Sequence, residues 1–268
     1  MTTIPNPLYG AIGGDLVGSI YEFCNIKTKE FELVKEECCL TDDSALTMAT
    51  ADAILGGQAE YARYYHAWGN RHPHMGYGGK FRWWLELPFE ETFPYGSWGN
   101  GAAMRVSPVG FAFDTEDEVL DAAEASASAT HNHPEGVRGA QATAMAVLLA
   151  RRGETMKAIQ TEIERRFDYD LSTPLDVIRP EYEFDVSCQG TVPVAIRAFL
   201  QSWCYEDAIR NAVSLGGDSD TIAAITGGIA LAYYKEMPRR LVEAIEVRLT
   251  PDMREVCEAF GQRFPLTV

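Results

Sequence analysis

Helix-forming segments occupy most of this chain, and this feature limits the possible folds more than any other. Residues 44–55 combine good helix formers with apolar side chains at three- to four-residue spacing, and two glycines follow as a terminator. Comparable patterns lie at about 59–68, 116–129, 136–151, 154–166, 191–202, 205–214, 220–235, 238–248 and 252–262. The alanine-rich runs 122–130 and 139–150 are apolar nearly all round, which predicts helices buried in the centre of a bundle.

Strand-forming sequence is sparse. Only 31–35 and 183–187 have the composition of extended segments, which is too little to build a sheet. The stretch 72–109 is rich in glycine, proline, tryptophan and tyrosine, so we predict a loop-rich segment with aromatic side chains that line a pocket. Phe81 and the Trp83–Trp84 pair are assigned to the core instead. No repeat of fixed period and no linker divides the chain. We therefore predict one all-α domain that covers residues 1–268.

The charge balance of the chain restricts its partners. Its 268 residues include 39 acidic and 23 basic side chains, which gives a formal net charge of −16. A field of this sign disfavours non-specific nucleic-acid binding and docking to anionic membranes. The sequence has no apolar run of membrane-spanning length, no signal-peptide pattern and no C-x-x-C pair among its cysteines. We expect a cytoplasmic monomer with reduced thiols.

Two acidic clusters stand at predicted helix starts. TDDS at 41–44 precedes one helix, and GGDSDT at 216–221 precedes another. Ser, Thr and Asp are favoured N-caps, so either cluster alone is explained by capping. A cap needs one side chain, however, whereas each cluster holds two carboxylates, which repel one another unless a cation lies between them. If the two helix starts face each other, they form an all-oxygen, binuclear site for hard divalent cations.

Other cofactor patterns are absent or weak. The chain has no Walker A sequence, and GAIGG at 10–14 does not match G-x-G-x-x-G, which excludes P-loop and Rossmann sites. HNH at 131–133 imitates a zinc-binding H-x-H pair. Because Pro134 follows it, a loop is the commoner explanation.

Five motifs in the same order resemble the ADP-ribosylglycohydrolases over about residues 8–235. They are GGD with GSIYE at 13–22, TDDS at 41–44, GNGAAMR at 99–105, ATH at 129–131 and GGDSDT at 216–221. This family includes the dinitrogenase reductase-activating glycohydrolase and the eukaryotic ADP-ribosylarginine and ADP-ribosylserine hydrolases. The resemblance implies an all-α orthogonal helical bundle with a central cleft that holds two divalent cations, Mg²⁺ or Mn²⁺.

The resemblance also implies roles for individual residues. The implied metal ligands are Thr41, Asp42, Asp43, Asp218, Asp220 and Thr221. The implied catalytic residues are Asp42, Asp43 and Glu22, the last of which matches a glutamate near the scissile bond. The implied contacts to ADP-ribose are Ser97, Gly99, Asn100, Gly101, Met104 and His131. Arg105 either binds the phosphates or braces the loop by hydrogen bonds, and we favour the brace.

The activity implied by the resemblance is metal-dependent hydrolysis of the glycosidic bond between ADP-ribose and an acceptor. Arginine on a modified protein is the first choice of acceptor, and a small-molecule conjugate is a further option. In such a reaction two metals fix the ribose hydroxyls and position a water, while a carboxylate exchanges a proton. Two alternatives stay open: a two-metal phosphoester or nucleotide hydrolase, and a non-catalytic ADP-ribose-binding or structural protein on the same scaffold.

Overall fold

A computed structural model describes residues 5–57 and 60–266, and within these ranges the protein is all-α, as predicted. The helices are α1 (Tyr9–Gly18), α2 (Asp42–Leu55), α3 (Tyr61–Arg71), α4 (Gly79–Glu86), α5 (Gly101–Met104), α6 (Ser107–Ala112), α7 (Glu116–Ser128), α8 (Pro134–Arg151), α9 (Met156–Phe167), α10 (Leu175–Ile178), α11 (Cys188–Leu200), α12 (Tyr205–Ser214), α13 (Ser219–Tyr234), α14 (Arg239–Glu246) and α15 (Pro251–Arg263). Single 3-10 turns lie at Ser19–Tyr21 and Phe89–Glu91. The described residues include no strand, and an isolated bridge pairs Gly99 with Ser187. No described helix has both the length and the apolar character needed to cross a membrane.

The predicted helices are present, with small shifts of their ends. The helix predicted at 59–68 is α3, and residue 59 itself lies outside the described residues. The sequence patterns do not predict α1, because four of its ten residues are glycine, which has a low helix propensity. The prediction of loops through 72–109 is wrong in part, since α4, α5 and the first turn of α6 are too short to give a periodic signal.

Burial differs between the two alanine-rich runs. Within 139–150 every residue except Gln141 is buried, as predicted for a central helix. In 122–130 the prediction of all-round burial is wrong, because Glu124 and Ala125 are exposed. Helix α7 packs against α8 and presents this polar side to solvent.

Glycine allows α1 to lie directly against α13 at the centre of the protein. Gly10, Gly14 and Gly18 recur every four residues, so they share one face of α1. A Cβ atom on Gly14 would lie 1.9 Å from the carbonyl oxygen of Ala223, and one on Gly18 would lie 2.5 Å from the Cα of Asp220. This backbone contact brings the end of α1 against the first turn of α13.

Replacing Gly14 with alanine is expected to lower the free energy of unfolding by about 3 kcal/mol, since the new methyl group overlaps the α13 backbone. Urea unfolding measures this change. Gly78→Ala is the matched control, because a methyl group at Gly78 meets no atom of the described residues within 4 Å. Equal stability of the two variants would contradict the close packing of α1 on α13.

Candidate metal centre and substrate cleft

Asp15 organises the hydrogen bonds that fix the start of α2. Its carboxylate is fully buried and accepts from the backbone N–H of Thr41 at 2.9 Å and the Thr41 hydroxyl at 2.7 Å. It also accepts from the backbone N–H of Ser44 at 3.1 Å and from the Ser44 hydroxyl. Three of these donors bind Oδ2 and one binds Oδ1, so Oδ1 keeps an acceptor position. The GGD motif contains Asp15 without indicating this role, which only the packing of α1 beside α2 reveals.

Carboxylates converge where the starts of α2 and α13 meet the turn after α1. Oxygen atoms from Asp15, Asp43 and Asp220 lie within 4.8 Å of one another, and so do oxygen atoms from Glu22, Asp218 and Asp220. Asp220 belongs to both groups, so the two groups adjoin. The two helix starts therefore face each other, as the acidic clusters in the sequence suggested.

Burial and mutual repulsion raise the pKa values of four carboxyl groups in this region, those of Glu22, Asp42, Asp43 and Asp220. Burial, reinforced by neighbouring aspartates, raises the pKa of Asp42 to about 8 and that of Glu22 to about 7. The same two causes hold the pKa values of Asp43 and Asp220 well above their ordinary value. The cluster therefore cannot be fully ionised at neutral pH unless a cation neutralises it.

Helix capping explains only part of this arrangement. Thr41 does cap α2, because its hydroxyl accepts from the Asp43 backbone N–H at 3.3 Å. Asp218 occupies the N-cap position of α13, yet its side chain accepts no capping hydrogen bond. One oxygen of Asp43, Oδ1, is buried and has no hydrogen-bond partner among the described residues. An unpartnered carboxylate oxygen beside other carboxylates is a donor set that suits Mg²⁺ or Mn²⁺.

The structure brings most of the predicted metal ligands to one cleft. The predicted ligands that line it are Asp42, Asp43, Asp218, Asp220 and Thr221. The Thr221 hydroxyl donates to Asp43 Oδ2 at 3.3 Å. Thr41 lies behind this lining, where its hydroxyl donates to Asp15.

The predicted substrate contacts line the same cleft, whose volume is about 330 Å³. They are Ser97, Gly99, Asn100, Gly101, Met104 and His131, and Glu22 lies among them. Asn100 connects this loop to the carboxylates, because its Nδ2 donates to Asp218 Oδ2 at 2.7 Å. The same nitrogen donates to Thr191 Oγ1 at 3.1 Å. The position of the glycine-rich loop is therefore tied to the carboxylate cluster.

Aromatic walls complete the cleft. Tyr95 comes from the stretch 72–109, as predicted for its aromatic side chains, whereas Phe81, assigned to the core, is buried and also lines the cleft. Trp84 is buried as predicted, and the assignment of Trp83 to the core is wrong because it is 44% exposed. Phe184 comes from the loop around 183–187, a range for which the sequence suggested only an extended segment. This segment lies against Gly217, where a Cβ atom would lie 2.6 Å from the Tyr182 ring. The sequence feature that indicated this wall is the glycine pair before α13, because glycine allows another segment to approach the backbone closely.

Arg105 braces the glycine-rich loop, in agreement with the favoured interpretation. Its guanidinium is fully buried and donates to the Ser126 carbonyl and the Thr130 hydroxyl. The two histidines of the HNH motif make separate contacts. His131 lines the cleft, whereas His133 caps α8 by accepting from the backbone N–H of Glu135 at 3.1 Å.

Comparisons with known proteins agree with this architecture. A profile of the family described as ADP-ribosylglycohydrolase matches residues 6–267. The chain is 27% identical to ADP-ribosylhydrolase ARH3 of Xenopus tropicalis, over 85% of this chain and 86% of that protein, and 27% identical to ARH3 of Homo sapiens, over 85% and 84%. A solved structure described as an ADP-ribosylglycohydrolase-related protein complex has the same fold, with a TM-score of 0.73, 24% identity and 96% of each chain covered. This chain therefore belongs to the ADP-ribosylglycohydrolase family.

Proposed function

We propose that this protein is a divalent-cation-dependent hydrolase that releases ADP-ribose from modified arginine side chains of proteins. One observation carries the proposal: two adjoining carboxylate groups share Asp220 in a cleft that also contains the glycine-rich loop. Family membership supports hydrolysis of ADP-ribose conjugates. The requirement for Mg²⁺ or Mn²⁺ and the choice of arginine are the further steps of the proposal.

The residues that would hold the cations are those predicted from the motifs. They are Asp42, Asp43, Asp218, Asp220 and Thr221, with Thr41 as a ligand or as the support of its neighbours. Their buried oxygens fit such ions, since Asp43 Oδ1 lacks any other partner in the described part of the chain. Two divalent cations would supply Lewis acidity toward the ribose hydroxyls and toward water.

Glu22 is the side chain best suited to move a proton. Burial, Asp218 and Asp15 raise its pKa to about 7, so it can both donate and accept a proton near neutral pH. Cleavage at the anomeric carbon needs a proton on the leaving acceptor and the removal of one from the attacking water. Glu22 lies in the cleft beside Asp218 and Asp220, where it can serve one of these roles.

The glycine-rich loop would orient the ADP-ribose pyrophosphate. The Gly99 amide already donates to the Ser97 hydroxyl at 3.2 Å, and the Asn100 amide donates to the Val186 carbonyl at 2.7 Å. We therefore expect backbone contacts to the pyrophosphate to come from the first turn of α5, which follows these two residues. Asn100 would hold that turn at a fixed distance from Asp218.

An aromatic pair beside Glu22 supports arginine as the acceptor. Phe23 stacks on Phe184 with a centroid separation of 6.4 Å, and these rings are 82% and 49% exposed. Phe184 lines the cleft. Exposed aromatic faces attract a guanidinium by cation–π interaction, and the surrounding carboxylates also favour a cationic group. A serine hydroxyl has neither property and would gain nothing from this pair.

Phe23→Ala is expected to lower kcat/KM for ADP-ribosylated arginine roughly fivefold, the loss of one exposed cation–π contact. Turnover of ADP-ribosylated serine should change much less. The assay is release of ADP-ribose from matched arginine and serine conjugates. Trp203→Ala is the control, because Trp203 is also exposed but, unlike Phe23, does not stack on the Phe184 ring that lines the cleft. Faster release from serine than from arginine by the unmodified enzyme would contradict the choice of acceptor.

A further inference from the structure

Arg105 carries a buried positive charge that has no carboxylate partner among the described residues. Its Nη2 donates to the Ser126 carbonyl at 3.2 Å and to the Thr130 hydroxyl at 2.9 Å, and its guanidinium lies 3.9 Å from the centre of the Tyr65 ring. Its Nε and Nη1 have no hydrogen-bond partner in the described structure. This buried cation lowers the pKa of the titratable groups close to it, although burial has the larger effect on each.

The Thr130 hydroxyl links this cation to His131. Because a guanidinium can only donate, the Thr130 oxygen accepts from Arg105 and keeps its own proton for one of two neighbours, His131 Nδ1 or the Tyr95 phenol. His131 Nδ1 lies 2.7 Å from that oxygen, and both groups are buried. Arg105 would then donate to Thr130, and Thr130 would donate to His131 Nδ1. In such a chain the dipoles of the hydrogen-bonded groups align, and each hydrogen bond strengthens the next. The imidazole proton then belongs on the other nitrogen, Nε2.

We propose that Arg105 is a positioning residue that acts through Thr130 to hold His131 as the neutral imidazole with its proton on Nε2, where it serves as a hydrogen-bond donor in the cleft. Nε2 does face the glycine-rich loop, since it lies 3.2 Å and 3.6 Å from the positions that Cβ atoms would take on Gly101 and Gly99. The identity of the acceptor, an oxygen of ADP-ribose, rests on the proposed function. The assignment of the His131 tautomer is independent of the proposed function.

Electrostatics around His131 agree with this arrangement. Burial and the charge of Arg105 hold the pKa of His131 well below its ordinary value. The other titratable group that faces it is Tyr95, whose ring centroid lies 6.1 Å away. Burial raises the pKa of Tyr95 to about 12, so this phenol is neutral near pH 7 and does not stabilise an imidazolium. His131 therefore stays uncharged through the physiological pH range.

The experiment is a long-range ¹H–¹⁵N spectrum of the metal-free protein with ¹⁵N-labelled histidine, recorded from pH 5 to 8. The signals of His131 are assigned by their loss in His131→Asn. We expect the Nε2–H pattern at every pH, with no titration. A proton on Nδ1, or titration near pH 6.5, would overturn the proposal. This readout needs no substrate and holds even if the proposed function fails.

A second experiment tests whether Arg105 acts on His131 through the Thr130 hydroxyl. Because Arg105 is fully buried, its replacement would disturb the fold, so the variants are made at Thr130. Thr130→Val keeps the side-chain shape and removes the hydroxyl, and it should give mixed tautomers with KM for the ADP-ribose conjugate raised roughly tenfold at similar kcat. Thr130→Ser should restore both readouts. An unchanged tautomer and KM in Thr130→Val would show that Arg105 does not act through this hydroxyl.

Discussion

Asp220→Ala is expected to lower the turnover of ADP-ribosylated arginine at least about a thousandfold, equivalent to about 4 kcal/mol of transition-state stabilisation. The reason is geometric, because Asp220 supplies an oxygen to both carboxylate groups of the cleft. Its loss therefore affects both proposed ion positions, whereas Glu22 or Asp43 contributes to one. The measurement is kcat with saturating Mg²⁺ or Mn²⁺, by chromatography of released ADP-ribose.

The matched control for this prediction is Asp121→Ala. Asp121 is an exposed aspartate of α7, so its removal makes the same change in net charge without touching the cleft. Asp220→Asn keeps the size of the side chain and should be nearly as inactive as the alanine variant. Retention of full turnover by either Asp220 variant, with Asp121→Ala normal, would remove the basis for a two-cation centre.

The metal-free protein is expected to lose stability as the pH rises from about 4 to about 8. Carboxyl groups with a raised pKa in the folded state stabilise the protein while they are protonated, and this contribution is complete below the ordinary pKa of about 4. It is lost as the pH passes the folded-state values, which are about 7 for Glu22 and about 8 for Asp42. Asp43 and Asp220 shift in the same direction.

Added cations should reverse this trend. Ions that bind only the folded protein at a hundred times their Kd stabilise it by about 2.7 kcal/mol, which corresponds to a rise of roughly 5–10 °C in Tm. We expect this rise in Tm at pH 8 and a much smaller one at pH 5, where protonated carboxyl groups bind cations poorly. The measurement is thermal unfolding in chelator and in excess Mg²⁺ or Mn²⁺. Equal Tm values in both solutions at pH 8 would instead support a structural relative without a metal centre.

Short motifs predicted which polar side chains line the cleft better than they predicted its shape. TDDS and GGDSDT each hold more carboxylates than a helix cap needs, and this surplus was the reason to consider a shared cation site at two facing helix starts. The role of Asp15 was not predictable in this way, because its four hydrogen bonds depend on α1 lying beside α2. The position of α1 itself depends on its backbone contact with α13 at Gly14, and a glycine there gives no periodic apolar signal.

The cleft walls were harder to predict because they combine segments distant in the sequence. Phe23 follows Glu22, yet its partner Phe184 comes from a loop more than 150 residues later. Within 72–109, the aromatic composition predicted a pocket wall, whereas the short helix α4 gave no recognisable period. Arg105 was interpreted correctly as a brace, but its link to His131 through Thr130 depends on distances that only the fold defines.

Product identity tests the central claim most directly. Chelator-treated enzyme is incubated with ADP-ribosylated arginine, before and after addition of Mg²⁺ or Mn²⁺, and the products are separated by chromatography. The proposed function predicts no reaction in chelator, and intact ADP-ribose with free arginine once the cation is added. Release of AMP with arginine still attached to phosphoribose, or equal release of ADP-ribose in chelator, would contradict it.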